Sequence, residues 1–449
     1  MFIKNHTIQH PDGYLNKTPI FQFLLLSTVF ALWSAAAALN DVLITQFKTV
    51  FDLSNFASAL VQSAFYGAYF LVAIPASMVV KKSSYKLAIL LGLALYIFGC
   101  LMFFPASHAG TYTMFLAAIF CIAIGLSFLE TSCNTYSAMI GEPERATLRL
   151  NVSHTINAMG YIVGLLLGKH LIFQEGVNVE QMMSTLTGHE LAMFKEQVLQ
   201  QTLEPYKWLV GIIATVAALI AITEYPNCKA VSDKKADEPT FGETLTYLAS
   251  NARFFKGIVT QFAYVGMQVA VWSFTIRLAL AMDPTMVEHD AANYLLYAFI
   301  MYFLGKLLAN YLFTKTTQEN VLMGYSAVGF LCLLYVTFVP NFSAVWVAVG
   351  TSALFAPCWA TIFASTLQSV DTRYTETAGG FVVMSIIGGA AIPVVQGLLA
   401  DNVGMQTSFI VNAACFAVVF TYFLSEKKHK KPVTYTTQES ATQETVANA

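Results

Sequence analysis

Apolar positions in this chain gather into long unbroken runs, without the short alternations that strands require. A helix needs about 20 apolar residues to cross a bilayer. Twelve runs reach that length: 20–46, 57–80, 86–105, 112–139, 149–173, 206–224, 254–281, 291–314, 320–338, 343–369, 374–400 and 405–424. The pattern predicts an all-α integral membrane protein with twelve transmembrane helices. No small-residue cleavage pattern follows the first run, so it is expected to stay in the mature chain. The longest polar connection, Tyr225 to Asn251, divides the runs six and six. Its stretch from Lys234 to Pro239 has no apolar periodicity and reads as a solvated linker. The expected organisation is an N-terminal segment 1–19, a six-helix half 20–224, a linker 225–253, a second half 254–424 and a tail 425–449.

Composition narrows the class. Of 449 residues, 56% are hydrophobic and 11% charged, against about 25% charged in soluble domains. A water-facing surface of the necessary size cannot be built from so few charges, so the lipid bilayer is the expected solvent. The net charge of −2 offers nothing to a nucleic acid. Cys100, Cys121, Cys133, Cys228, Cys332, Cys358 and Cys415 are scattered, without metal-ligand spacing or a disulfide framework. They read as small buried hydrophobes.

Basic residues set the orientation. Of the 24 Lys and Arg residues, Lys48, Lys169, Lys195 and Lys207 fall on one side, and Arg277 and Lys306 within runs. All the others fall on the side shared by both termini, which the positive-inside rule makes cytoplasmic. One opposite-side loop, Gln174 to Glu204, is long. Thr187 and Glu190 have capping-box spacing there, and Leu191, Phe194 and Val198 follow at helical intervals, predicting a short surface helix. The basic, then Thr/Gln-rich tail is expected to be disordered.

Two carboxylates interrupt the apolar runs, Asp41 in the first and Glu130 in the fourth. An acid near the middle of a membrane helix costs roughly 2.5 kcal/mol or more. Removed from water, such a group takes up and releases protons near neutral pH. The pair therefore reads as two stations of one proton path; the plainer alternative is that one of them pairs with a buried cation. Polar stripes accompany them. Trp33 and Asn40, seven apart, share a face beside Asp41, Glu130 stacks with Asn134, and His154 stacks with Asn157. A lone intramembrane amide is more often glue between helices than a ligand contact, but three stripes in one half exceed what packing needs. The second half offers Tyr264, Trp272, Tyr297, Tyr302, Phe355 and Trp359, with Gln268 and Asn293 as polar points. Aromatic faces suit the apolar side of a sugar ring, and amides suit its hydroxyls. Arg277 lies near a helix end and can snorkel, while Lys306 lies deeper and is expected to meet a carboxylate or reach the inner interface.

Several segments carry a family resemblance. They include ALNDVLITQF (38–47), NFASALVQSAFYGAYF (55–70), KKSSYK (81–86), LETSCN (129–134), RLNVSHTINAMG (149–160), QFAYVGMQVAVWSFTIR (261–277), AANYL (291–295) and IIGGAAIPVVQG (386–397). In order and spacing the chain resembles the fucose:proton symporters of the major facilitator superfamily. The resemblance implies two six-helix halves rocking about a site near the midplane. It further implies a monosaccharide substrate, most naturally L-fucose, and a proton gradient as energy source without a cofactor. A monomer spanning the bacterial inner membrane many times is the expected setting. The family's two essential acids fall on Asp41 and Glu130, its sugar-facing aromatic on Trp33 and its fifth-helix amide on Asn157. Fucose-carrying members have Asn at the position of Ala38, Gln at His154 and Tyr at Trp359.

Those departures alter how hydroxyls would be satisfied. An unpaired buried polar group costs about 1–3 kcal/mol, enough to change sugar preference tenfold. Galactose, glucose and N-acetylglucosamine therefore stay open as substrates, and a drug:proton antiporter on the same architecture stays open behind them. An enzyme is disfavoured, since no Gly-x-Ser-x-Gly or phosphate-binding loop occurs and His-x-x-x-His spacing occurs only at His6–His10, outside the apolar runs. The expected site comprises Trp33, Asn40, His154, Asn157, Gln268, Trp272 and Trp359 for the substrate, with Asp41 and Glu130 for the proton.

Overall fold

The computed structural model describes residues 7–51, 55–109, 111–171, 182–183, 185–229, 239–283, 285–286 and 288–429; within these ranges the side chains of 40–49, 55–64, 109, 169–171, 288–289, 292 and 429 are outside the description. A first group of helices comprises α1 (Ile20–Val50), α2 (Asn55–Lys82), α3 (Tyr85–Ala109), α4 (Tyr112–Met139), α5 (Ala146–Leu171), α6 (Gly188–Thr202) and α7 (Glu204–Ile222). A second group opens with α8 (Phe241–Ser250), α9 (Ala252–Met282), α10 (Glu288–Phe313), α11 (Gln318–Phe338) and α12 (Ser343–Phe355). It closes with α13 (Cys358–Leu367), α14 (Thr375–Met384), α15 (Gly388–Val403) and α16 (Ile410–His429). Among the described residues, 11 stretches are long and apolar enough to cross a membrane, each overlapping an expected run. The remaining run, 57–80, falls on α2, whose 28 residues extend roughly 42 Å, more than a bilayer's hydrocarbon core.

These helices are apolar nearly all round, so their buried faces are distinguished by size rather than polarity. Small residues let backbones meet. A Cβ on Gly160 of α5 would stand 2.2 Å from the Ala31 carbonyl oxygen of α1, so only glycine permits that approach. Outward-facing Leu71, Phe98, Trp208, Leu331 and Phe338 suit lipid contact.

Two expected single helices are interrupted. The run 343–369 divides into α12 and α13 at Ala356 and Pro357, where proline supplies no N–H to the ladder. The run 374–400 divides at a 3-10 turn, Ser385–Ile387. At its far side a Cβ on Gly388 would stand 2.1 Å from the Phe262 carbonyl oxygen of α9. The expected surface helix is present as α6, with Thr187 extended at its N-cap but without a side-chain capping bond.

The linker departs further from expectation. Its solvated character was read from 234–239, of which 234–238 lie outside the described residues. The flanks are ordered. Cys228 is fully buried, and the Tyr136 hydroxyl donates to the Pro226 carbonyl at 2.6 Å. Helix α8 carries a complete Thr240/Glu243 capping box. Tyr247 stacks on Tyr374 at 4.2 Å, and the Asn251 amide donates to the Ser369 carbonyl at 2.8 Å. The amphipathic spacing of Thr244 and Leu248, both buried, was the missed signal; the charges just ahead of it drew the reading towards solvent.

Candidate functional site

The polar stripes of α4 and α5 and the Trp33 face of α1 converge where the two groups of helices meet. Spacing of three or four places His154 and Asn157 on one face of α5, and Gly160 lets that face close on α1. The Asn157 amide nitrogen donates to the Phe30 carbonyl at 2.8 Å, and the Ser34 hydroxyl donates to the Asn157 carbonyl at 2.6 Å. Part of this stripe is therefore helix-to-helix glue. The Asn157 side-chain oxygen has no hydrogen-bond partner among the described residues.

His154 is 3% exposed and sits in an aromatic enclosure. Its ring centroid lies 5.2 Å from Phe30, 6.5 Å from Trp33 and 6.1 Å from Trp359. Asn134 fixes its tautomer. The Asn134 amide nitrogen donates to the Glu130 backbone carbonyl at 2.8 Å, which turns the amide oxygen towards His154 Nε2, 2.7 Å away. An oxygen acceptor there makes Nε2 the protonated nitrogen and leaves Nδ1 as an acceptor. The Trp359 Nε1 donor, on the adjoining ring, is buried without a partner. A donor and an acceptor thus stand beside two indole rings, a combination suited to hydroxyls on a flat apolar ring.

Glu130 is 8% exposed. Tyr69 of α2 faces it, near enough for the two groups to interact electrostatically. No cation pairs with Glu130 among the described residues, which removes the plainer alternative for this acid.

The second group supplies the opposite wall. The Tyr264 hydroxyl donates to Gln268 at 2.6 Å, and Tyr264 lies 6.4 Å from Trp359. Trp272 is packed edge-on to Phe299 at 4.9 Å and Tyr302 at 5.3 Å, and it reaches Tyr161 of α5 at 5.6 Å. Its indole donates to the Ser352 hydroxyl at 3.2 Å.

Of the expected site residues, Trp33, His154, Asn157, Gln268, Trp272 and Trp359 are gathered around this junction, with Glu130 one helix away. Asn40 and Asp41 belong to α1, but their side chains lie outside the described residues. Tyr69 and Tyr161 were missed. Each is a lone phenol in an apolar run, and only tertiary contact distinguishes it from a packing ring. Lys306 departs from expectation: it meets no carboxylate among the described residues and instead donates to the Ala356 carbonyl at 2.7 Å. Arg277 lies over the Phe274 ring at 4.8 Å.

Below the junction the groups are joined by neutral hydrogen bonds. Asn151 donates to the Thr361 hydroxyl at 3.1 Å, and Asn310 donates to the Thr155 hydroxyl at 2.8 Å. A Cβ on Gly380 of α14 would stand 2.8 Å from the Ser77 Cβ of α2. This end, where the N-terminal segment and the linker also lie, is closed.

Comparison with known proteins bears on what such an arrangement does. Residues 22–386 match the Major Facilitator Superfamily model. The chain is 34% identical to the L-fucose-proton symporter of Escherichia coli (strain K12), covering 92% of this chain and 94% of the relative. It is 29% identical to a glucose/galactose transporter of Brucella abortus (strain 2308), covering 93% and 97%. The crystal structure of the transporter FucP in the outward conformation superposes with a TM-score of 0.83 at 33% identity, covering 90% of this chain and 98% of that one. A bacterial homologue of the human lysosomal transporter Spinster, inward-facing, shares the fold at a TM-score of 0.60 and 15% identity, covering 91% and 97%.

Proposed function

Because the chain belongs to the major facilitator superfamily, a family of membrane transporters and not of enzymes, we propose that it is a proton-coupled sugar symporter. In this reading it imports a monosaccharide by alternating access, with L-fucose the preferred substrate. The observation that carries the proposal is Glu130, an acid buried in the bilayer interior with no cation paired to it among the described residues, on the helix next to the His154–Trp33–Trp359 enclosure. A proton acceptor in the bilayer interior and a hydroxyl-binding aromatic cage are the two parts that coupled sugar transport needs.

The mechanism follows from the division between the halves, 20–224 and 254–424. Protonation of Glu130, and of Asp41 on the same half, removes charge from the interior and lets that half move against lipid and partner without a Born penalty. Sugar binding bridges the halves: His154 Nδ1 and the Asn157 side-chain oxygen accept from hydroxyls, Trp359 Nε1 donates, and Trp33 stacks. Closing around the sugar requires the opposite end to open, which breaks the Asn151–Thr361 and Asn310–Thr155 bonds. Each such interhelical bond is worth about 0.6 kcal/mol, so the closed end is held weakly enough to cycle. The proton gradient supplies the drive, with no cofactor. The termini and linker lie on the cytoplasmic face of a bacterial inner membrane.

A specific observation favours a second sugar. The relatives named as glucose/galactose transporters align over nearly the whole chain, and imidazole and indole at His154 and Trp359 change the donor and acceptor pattern presented to hydroxyls. Uptake of radiolabelled L-fucose into proteoliposomes under an inward proton gradient, competed by unlabelled galactose, glucose and N-acetylglucosamine, decides between them. Gradient-dependent accumulation of fucose supports the proposal; accumulation of another sugar alone moves the substrate and keeps the mechanism. Movement of no sugar overturns it.

A further inference from the structure

The two halves meet along two seams, α5 against α10 and α2 against α14 and α15, and both seams change character at the same interval. Towards the closed end their contacts are polar or small. Asn310 donates to the Thr155 hydroxyl at 2.8 Å, and a Cβ on Gly380 would stand 2.8 Å from the Ser77 Cβ. Eleven residues back from Asn310 on α10, and eleven back from Ser77 on α2, each helix has made about three turns and presents the same face again. There each seam carries a tyrosine. On α10 that level is Phe299, whose ring centroid lies 5.4 Å from Tyr161 of α5. On α2 it is Tyr66 itself, and a Cβ on Gly389 of α15 would stand 3.2 Å from its ring carbon Cε1.

Tyr161 also stands over the aromatic enclosure. It follows His154 by seven residues on α5, which keeps it on the same face and places it about 10 Å further from the closed end. Trp272 completes the cover, with its ring 5.6 Å from Tyr161 and 4.9 Å from Phe299. Three rings from α5, α9 and α10 thus touch one another across the line between the halves. Tyr66 and Tyr161 are both half-buried, as side chains at the rim of a contact are.

We propose that Tyr161 and Tyr66 form the outer gate of the junction, one at each seam, and that a monosaccharide reaches the His154 enclosure only when both rings leave the opposite half. A ring contact suits that task. Parting two apolar surfaces strands no buried donor or acceptor, whereas the hydrogen bonds at the closed end must exchange their partners for water. The inference rests on reading the junction as the sugar site, but its test needs no sugar.

Gln268→Cys, one turn from Trp272 on the enclosure side of α9, reports access from the outer face. In right-side-out vesicles carrying the full-length protein, its labelling by a membrane-impermeant thiol reagent is read as the excess over the same protein with Gln268 intact. Tyr161→Ala and Tyr66→Ala are each expected to raise that rate about tenfold, the weight of one or two ring contacts. Tyr161→Phe and Tyr66→Phe keep the ring and are expected to label at the native rate. Thr361→Cys, labelled in inverted vesicles, reads the closed end and is expected not to rise in any of these variants. No rise at position 268, or a rise from one seam alone, overturns the proposal. An equal rise at position 361 overturns it too, since that is general loosening, as does a phenylalanine variant as fast as its alanine counterpart. Should an alanine variant not fold, Tyr161→Leu or Tyr66→Leu still decides: a faster rate confined to the outer face upholds the gate, and the native rate overturns it. Failure of sugar transport would defeat the function proposed above and leave this result standing.

Discussion

The two walls of the junction are built on different chemistry. On the α1/α4/α5 side, polar side chains are tied to backbone carbonyls of neighbouring turns and helices: Asn157 to Phe30, Ser34 to Asn157, Asn134 to Glu130. On the α9/α10/α12 side, rings pack edge to face around Trp272, and few polar atoms face inward. One wall can change its protonation and hydrogen bonding without losing its shape. The other offers a shaped apolar surface that changes little with proton state. The reading proposed above puts the proton on the first wall and the sugar between that wall's Trp33 and His154 and the rings of the second.

The largest expected effect tests the proton side. Each unit of proton gradient is worth about 1.4 kcal/mol, or about tenfold in accumulation. Glu130→Gln should abolish that accumulation while gradient-free exchange of sugar across the membrane continues. Uptake with and without an imposed gradient measures both, and equal loss of exchange would erase the distinction between the walls. Next is the aromatic wall. Trp272→Ala removes a ring contacting Tyr161, Phe299, Tyr302 and Phe355 and should cost about 3–5 kcal/mol of stability. Thermal unfolding followed by size exclusion reads this directly. A variant as stable as the native protein would mean that the wall is not a packed unit.

A smaller effect sharpens the polar side. Asn134→Ala unties His154 and leaves its Nε2 donor buried, at a cost of about 1–3 kcal/mol. Apparent sugar affinity should fall about tenfold with the gradient response retained, as a competition curve would show. Smallest is Asn310→Ala, which removes one bond to Thr155 worth about 0.6 kcal/mol. It should raise thiol labelling of a cysteine introduced at Thr361 by a factor of two to three; unchanged labelling would remove Asn310 from the closure.

Much of this was legible from the sequence because bilayer solvent makes polarity conspicuous. Glu130, His154 and Asn157 announce themselves in apolar runs, and helical spacing alone puts His154 and Asn157 on one face. The partners were not legible. Tyr69 differs from a dozen other membrane phenols only by the carboxylate it meets, and Lys306 gave its depth but not its carbonyl partner. The break at Pro357 was masked by the continuous apolarity of 343–369, since hydropathy does not register a missing N–H. Helix α8 was lost to the charged residues beside it, although Thr240 and Glu243 spelled a capping box. Periodicity reports which face is buried; it does not report which neighbour buries it.

The central claim is that sugar and proton move together and that Glu130 carries the coupling. It is tested most directly by adding the transported sugar to a weakly buffered suspension of proteoliposomes with no imposed gradient and following external pH. The account predicts alkalinisation on sugar addition with the native protein, abolished by an uncoupler. It predicts none with Glu130→Gln, although that variant still exchanges labelled sugar. Sugar entry without alkalinisation in the native protein, or undiminished alkalinisation in Glu130→Gln, would contradict it.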